Sequence, residues 1–114
     1  MSERVDYNLN DFQQDCLRTT NRKLDWSQTV TNCVFGLCGE SAEVAEHFKK
    51  HWFHGKELDI DKVKLEIGDI MFYCAWLSDV LGFELSQVGE AVTDKLRKRY
   101  GEGFSIEKSL NRKD

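Results

Sequence analysis

Four carboxylates in two short runs carry the chemistry this chain can be expected to do. Glu40 and Glu43 stand in Gly39-Glu40-Ser41-Ala42-Glu43, and Glu66 and Asp69 in Glu66-Ile67-Gly68-Asp69. Residues three apart on an α-helix share a face, so each run presents a carboxylate pair. The second pair is the more telling, because residues 65–78 read LEIGDIMFYCAWLS and hold no other charge. A helix that is apolar on nearly every side belongs in a core or an interface. Two like charges are costly there unless something positive meets them. A divalent cation is the simplest partner, since two facing E-x-x-[ED] helices would enclose it in oxygen. Hard cations such as Mg²⁺ take carboxylate and water oxygens and leave positions open for substrate phosphates. The plainer alternative is two exposed acidic pairs on amphipathic helices. The apolar flanks of Glu66 and Asp69 and the small residues around Glu40 and Glu43 argue against it.

Other groups admit two readings. Lys95, Arg97 and Arg99 form either a solvated basic helix end that suits the helix dipole or a phosphate-binding surface, where Arg binds oxygen pairs bidentately. Lys95 and Arg99 share a face and Arg97 does not. Lys50, near the end of an earlier helix, is a further phosphate candidate. His47 and His51 have the i, i+4 spacing of a zinc pair. With no HExxH and no Cys partner in register, solvated helix residues are favoured. No Glu-x-x-His pair supports a ferritin-like di-iron site. Trp26, Phe35, Trp52, Phe72 and Trp76 offer a stacking surface for a base or, at helical spacing, core packing.

Helices must position these groups. After a loose arm over the first seven residues, a helix fits residues 10–20, with Asn10 as N-cap and Phe12, Cys16 and Leu17 as its apolar stripe. Residues 21–28 read as a polar loop carrying Trp26. A long helix over about 28–52 follows, capped by Ser27 or Thr29. His54-Gly55-Lys56 opens a connector. A third helix runs to about residue 81, with Asp59 or Asp61 as cap and Gly82 just past its end. A fourth helix spans about 84–100, and the tail from Glu102 is polar and frayed, with Phe104 and Ile106 as anchors. No strand alternation, repeat or low-complexity stretch occurs, so the expected fold is all-α, a four-helix, bundle-like single domain. Gly36, Gly39 and Gly68 sit inside helices at a cost of about 1 kcal/mol each. Gly39 and Gly68 flank the acids, where a missing side chain admits either a ligand or a closely packed helix.

Composition narrows the class. The chain has 114 residues, 40% hydrophobic and 32% charged, with no Pro, which suits helices. A formal net charge of −4 argues against a general nucleic-acid binder while leaving a nucleotide substrate open. Cys16, Cys33, Cys38 and Cys74 lie in helical, mostly apolar patterns without a CxxC, and no signal peptide is evident. They read as reduced core thiols of a cytoplasmic protein. No apolar run approaches the roughly 20 residues of a membrane span. The third helix presents Ile70, Phe72, Tyr73, Trp76 and Leu77 around most of its circumference, more than the other helices of one short chain can cover. An oligomer is expected.

The segments GLCGESAEVAEHFKKHWFHGKELD and KLEIGDIMFYCAWLSDVLG resemble the MazG-like nucleoside triphosphate pyrophosphohydrolases of the all-α NTP pyrophosphatase superfamily. LNDFQQDCLRTTN and KLRKRYGEGFS resemble the two ends of the same module, so the resemblance implies a domain core over about residues 9–105. The resemblance implies hydrolysis of a nucleoside triphosphate, deoxy or modified, to the monophosphate and pyrophosphate. Mg²⁺, or Mn²⁺ as a substitute, would be held by Glu40, Glu43, Glu66 and Asp69. Glu43, and with it Glu40, would be the catalytic carboxylates, Glu43 taking a proton from water. Tyr73, one turn after Asp69, falls where related enzymes place an aromatic near the substrate. Lys95, Arg97, Arg99 and Tyr100 match the family's closing K-L-R-x-R-Y, so Lys50, Tyr73, Lys95, Arg99, Tyr100 and Trp26 are the candidate substrate contacts. A homodimer or a dimer of dimers is implied. Leu65 stands where many members carry another acid, which bears on metal count or affinity, and Gly101 replaces a frequent Pro. Two rivals remain open: a phosphoribosyl-ATP pyrophosphohydrolase, and a non-catalytic helical module that binds nucleotide or metal.

Overall fold

Asn8, rather than Asn10, starts the first helix. Its side-chain oxygen accepts from the Asp11 N–H at 2.9 Å, and the Asp11 carboxylate accepts from the Asn8 N–H at 3.3 Å. This reciprocal pairing satisfies two donors that a helix start leaves open. The computed structural model describes residues 6–101 and 103–111, which hold α1 (Leu9–Leu17), α2 (Trp26–His54), α3 (Ile60–Val80), α4 (Leu85–Tyr100) and α5 (Ile106–Leu110). Of the described residues 76% are helical, and none lies in a strand. The all-α expectation holds. The arm expected over the first seven residues falls largely on residues 1–5, outside the described ones; Tyr7 is tied down, its hydroxyl donating to Asp15 at 2.7 Å.

Several ends move from where the sequence alone puts them. α1 stops at Leu17, because the Thr19 and Thr20 hydroxyls take the carbonyls of Cys16 and Leu17. α2 begins at Trp26, because Asp25 and Gln28 form a second reciprocal cap; Ser27 and Thr29 lie inside the helix, and Thr29 bonds back to the Asp25 carbonyl at 2.8 Å. It continues past Trp52 to His54, where Gly55 at φ 67° turns the chain in a conformation that suits a residue without Cβ. Asp59 caps α3 and Gly82 follows it at φ 91°, as expected. The frayed tail instead contains α5, capped by Ser105, and Lys108 Nζ donates to the Tyr100 carbonyl at 3.0 Å.

α3 is the centre. It packs along α2 and against α1 and α4, while α4 touches α1, α3 and α5 but not α2. Cys16, Ala75 and Leu85 form the core cluster, with Phe12 and Phe72 packed on it. Gln13, 2% exposed, holds the α3–α4 corner: its amide donates to the carbonyls of Ala75 and Phe83, and its oxygen accepts from the Leu85 N–H at 2.9 Å. Asn10 works beside it, donating to Glu84 and accepting from the Ser86 N–H. On the α2–α3 seam Gly36 meets the Tyr73 ring, in the space a Cβ would occupy.

Two sequence expectations about exposure are corrected. Cys38 is exposed, so only Cys16 and Cys33 are buried thiols, with Cys74 half-buried; burial pushes all three of those thiols up. The α3 residues expected to need an outside partner, Ile70, Phe72, Tyr73, Trp76 and Leu77, are buried or half-buried within the chain. Those left outside are Ile60, Leu65, Ile67 and Met71. The reason is geometric: α1 and α2 both pack on α3, Phe72 joining the cluster with Cys16 and Phe12 of α1, and Tyr73 meeting Gly36 of α2.

Candidate metal centre

The antiparallel seam between α2 and α3 brings Glu40 opposite Glu66 and Asp69. One carboxylate oxygen from each lies within 4.8 Å of the others. Glu40 and Glu66 are half-buried and Asp69 is exposed. A hydrogen bond between the Glu40 and Glu66 carboxyls raises Glu40 above its ordinary 4.5, helped by partial desolvation and by the charges of Asp69, Glu66 and Glu43. Like charges this close are relieved by a shared proton or by a cation. Three converging carboxylates, with no thiolate or imidazole in the set, fit a hard divalent cation.

Glu43 stands apart from that set. Three residues beyond Glu40, it is turned about 60° around the helix from the face that meets α3 and is exposed. Its charge still adds to the raised proton affinity of Glu40. The expected four-acid cage therefore assembles three members within one chain, with the fourth beside it. Gly39 and Gly68 border the acids with open space: nothing lies within 4 Å of a Cβ built at either. Close helix approach occurs at Gly36 instead.

The histidines are not simply solvated, as the sequence favours. His47 Nε2 lies 3.4 Å from Glu66 Oε1, with the two side chains 22% and 21% exposed. His51 Nδ1 donates to the Lys56 carbonyl at 2.8 Å, closing the end of α2. The two do not share a ligand position. Lys50 borders a cavity of about 460 Å³ at the α2–α3 connection, with His47, Lys56 and Lys62 and the acidic Glu57, Asp59 and Asp61. Tyr73, one turn from Asp69, is half-buried, stacked edge-on against Phe72 and seated on Gly36.

The remaining candidates lie elsewhere in the chain. Trp26, 60% exposed, donates its indole N–H to the Val80 carbonyl at 3.3 Å. It precedes Glu40 by fourteen residues of continuous helix, about 21 Å along the axis. Lys95 lines an apolar groove of about 590 Å³ with Phe83, Val88 and Val92. The Arg99 guanidinium lies 5.7 Å from the centre of the Tyr100 ring, and that ring is 5.2 Å from Phe104. Arg97 pairs with Asp94 at 2.9 Å, a contact across one turn of α4. Since α4 makes no contact with α2, one chain does not bring Lys95, Arg99 or Tyr100 against Glu40.

The motif reading does not place two residues, His47 beside the acidic cluster and Gln13 at the α3–α4 corner. His47 follows Glu40 by seven residues, nearly two turns, a spacing that places both on one face and was open to inspection. Gln13 gave no such signal, because a glutamine in a short helix reads as a surface residue.

Residues 28–104 match the family model of the MazG nucleotide pyrophosphohydrolase domain, a span that contains both acidic pairs, α3 and α4. No curated protein and no solved structure gives a significant match.

Proposed function

The chain belongs to the MazG nucleotide pyrophosphohydrolase family, and on that premise we propose that it hydrolyses a nucleoside triphosphate, deoxy or modified, to the monophosphate and pyrophosphate with Mg²⁺ held by Glu40, Glu66 and Asp69. The observation that carries this reading is the convergence of those three carboxylates across the α2–α3 seam. Mn²⁺ suits the same oxygen donors and would substitute. When bound, the cation supplies charge neutralisation for the triphosphate and acidifies water.

The residues of the chain do the rest. Glu43, beside the cluster and outside it, is the group left to accept the proton of the attacking water. A cation held by Glu40, Glu66 and Asp69 would relieve the charge crowding that contributes to the raised proton affinity of Glu40. Lys50 faces phosphate oxygens from the end of α2, and Tyr73 shapes the wall one turn from Asp69. Lys95, Arg99, Tyr100 and Trp26 contribute from a neighbouring copy, since the fold of one chain leaves them away from Glu40. A dimer or a dimer of dimers in the cytoplasm, built from this one domain, completes the proposal. No helix among the described residues is long and apolar enough to cross a membrane.

The test is pyrophosphate release with Mg²⁺ across the common ribo- and deoxynucleoside triphosphates and phosphoribosyl-ATP, scored by initial rate. Release from deoxynucleotides that stops on chelation supports the proposal. Preference for phosphoribosyl-ATP would reassign the substrate, and nucleotide binding without release would make the chain a binding module.

A further inference from the structure

His47 lies at the acidic cluster, and the carboxylate motif leaves it unexplained. It stands seven residues after Glu40 on α2, so both leave the helix on the face that meets α3. Across the seam both meet the same residue. Glu66 faces Glu40, a carboxylate oxygen of each lying within 4.8 Å of the other, and its Oε1 lies 3.4 Å from His47 Nε2. A carboxylate oxygen facing a ring nitrogen accepts, so Nε2 carries the hydrogen. The two side chains are half-buried, 22% and 21% exposed. His47 is not itself one of the converging ligand atoms, which come from Glu40, Glu66 and Asp69.

The terminal torsion of a glutamate is broad, so an untethered carboxylate spreads over many orientations. A donor fixed on one oxygen sets the carboxylate plane and leaves the other oxygen to ligate. Partners of this kind behind metal ligands typically change metal affinity ten- to a hundredfold, by about that order.

We propose that His47 is a positioning residue: its Nε2–H holds Glu66 Oε1 and sets the plane in which Glu66 faces the cation. The proposal rests on the reading of the three acids as metal ligands. It assigns His47 no contact with substrate.

The experiment titrates Mn²⁺ into the full chain, following free ion by electron paramagnetic resonance, for wild type, His47→Gln and His47→Leu. Gln keeps an N–H near the Nε2 position, while Leu keeps bulk without a donor. The expected result is affinity weakened by about tenfold or more in His47→Leu and by less than about threefold in His47→Gln. A second readout needs no metal: the ¹⁵N imidazole spectrum of the chelated protein should show His47 with the hydrogen on Nε2, and Glu66→Ala should shift that signal. Wild-type affinity in His47→Leu, equal weakening in both variants, or an Nε2 signal indifferent to Glu66→Ala would overturn the proposal. A wild type that binds no Mn²⁺ while its Nε2 signal still responds to Glu66→Ala would remove the metal reading of the acids, and the positioning role with it.

Discussion

Glu40 has a higher proton affinity than an isolated glutamate. Its carboxyl is raised above 4.5 chiefly by the hydrogen bond to Glu66, which has a consequence for stability. Between 4.5 and the raised value the folded chain binds a proton that the unfolded chain has lost. The contribution of this group is therefore full below 4.5 and declines as pH rises through that window. Urea unfolding of the chelated protein at a series of pH values should show wild type losing stability relative to Glu40→Gln across the window. A constant difference between them would mean that no proton is shared. The same residue scale separates two glycines of α2. Gly36→Ala drives a Cβ into the Tyr73 ring and should destabilise by about 1–3 kcal/mol, as overpacking does. Gly39→Ala meets nothing within 4 Å and should gain up to about 1 kcal/mol from helix propensity. Denaturant midpoints of both variants decide this; equal effects would contradict the seam described here.

The elements are held by caps and by one buried amide. Gln13 serves the carbonyls of Ala75 and Phe83 and the N–H of Leu85, three groups on two elements and the corner between them. Gln13→Leu keeps the bulk and strands those groups, and should cost about 2–4 kcal/mol in denaturant unfolding, since each unmet buried partner costs about 1–3. A cost below 1 kcal/mol would show that the corner is held by packing alone. The helices were largely legible in the sequence because Gly55, Gly82 and Gly101 stop three of them at positive φ. The starts of α1 and α2 were displaced because their caps, Asn8 and Asp25, precede the apolar pattern and show themselves only through Asp11 and Gln28 three residues on. α5 carried no readable period over five residues. The corner clamp was not legible, because it depends on which backbone groups the fold leaves open.

As a whole the molecule is too open for a chain of its length standing alone. Its radius of gyration is 17.3 Å, against about 13 Å for a compact domain of this length. Its accessible surface is 9022 Å², against about 6,500 Å² for a folded monomer of this mass. Phe35, Trp52, Phe53 and Leu65 are each at least 69% exposed, and Val88, Val92 and Leu96 line one face of α4 in the open. Light scattering at micromolar concentration should report at least a dimer; a well-folded, active monomer would contradict this. At this scale the sequence pointed to an unpaired apolar surface but to the wrong side of α3, because which faces α1 and α2 cover depends on tertiary packing. The acids were legible from spacing and apolar flanks, and the departure of Glu43 from the set depended on which face of α2 meets α3.

The most direct measurement is thermal unfolding of wild type and Asp69→Asn in chelator and in excess Mg²⁺, beside a pyrophosphate-release assay. Asp69→Asn removes one charge from the cluster at nearly constant shape, and Asp69 is exposed, so no buried partner is lost. Wild type should gain about 2.7 kcal/mol from Mg²⁺ at one hundred times its dissociation constant. Asp69→Asn should lose most of that gain and at least about a hundredfold in rate, while in chelator it stays as stable as wild type or slightly more so. If Asp69→Asn instead destabilises the chelated protein by several kcal/mol, or gains from Mg²⁺ as wild type does, Asp69 is a structural residue and the three acids are not a metal centre.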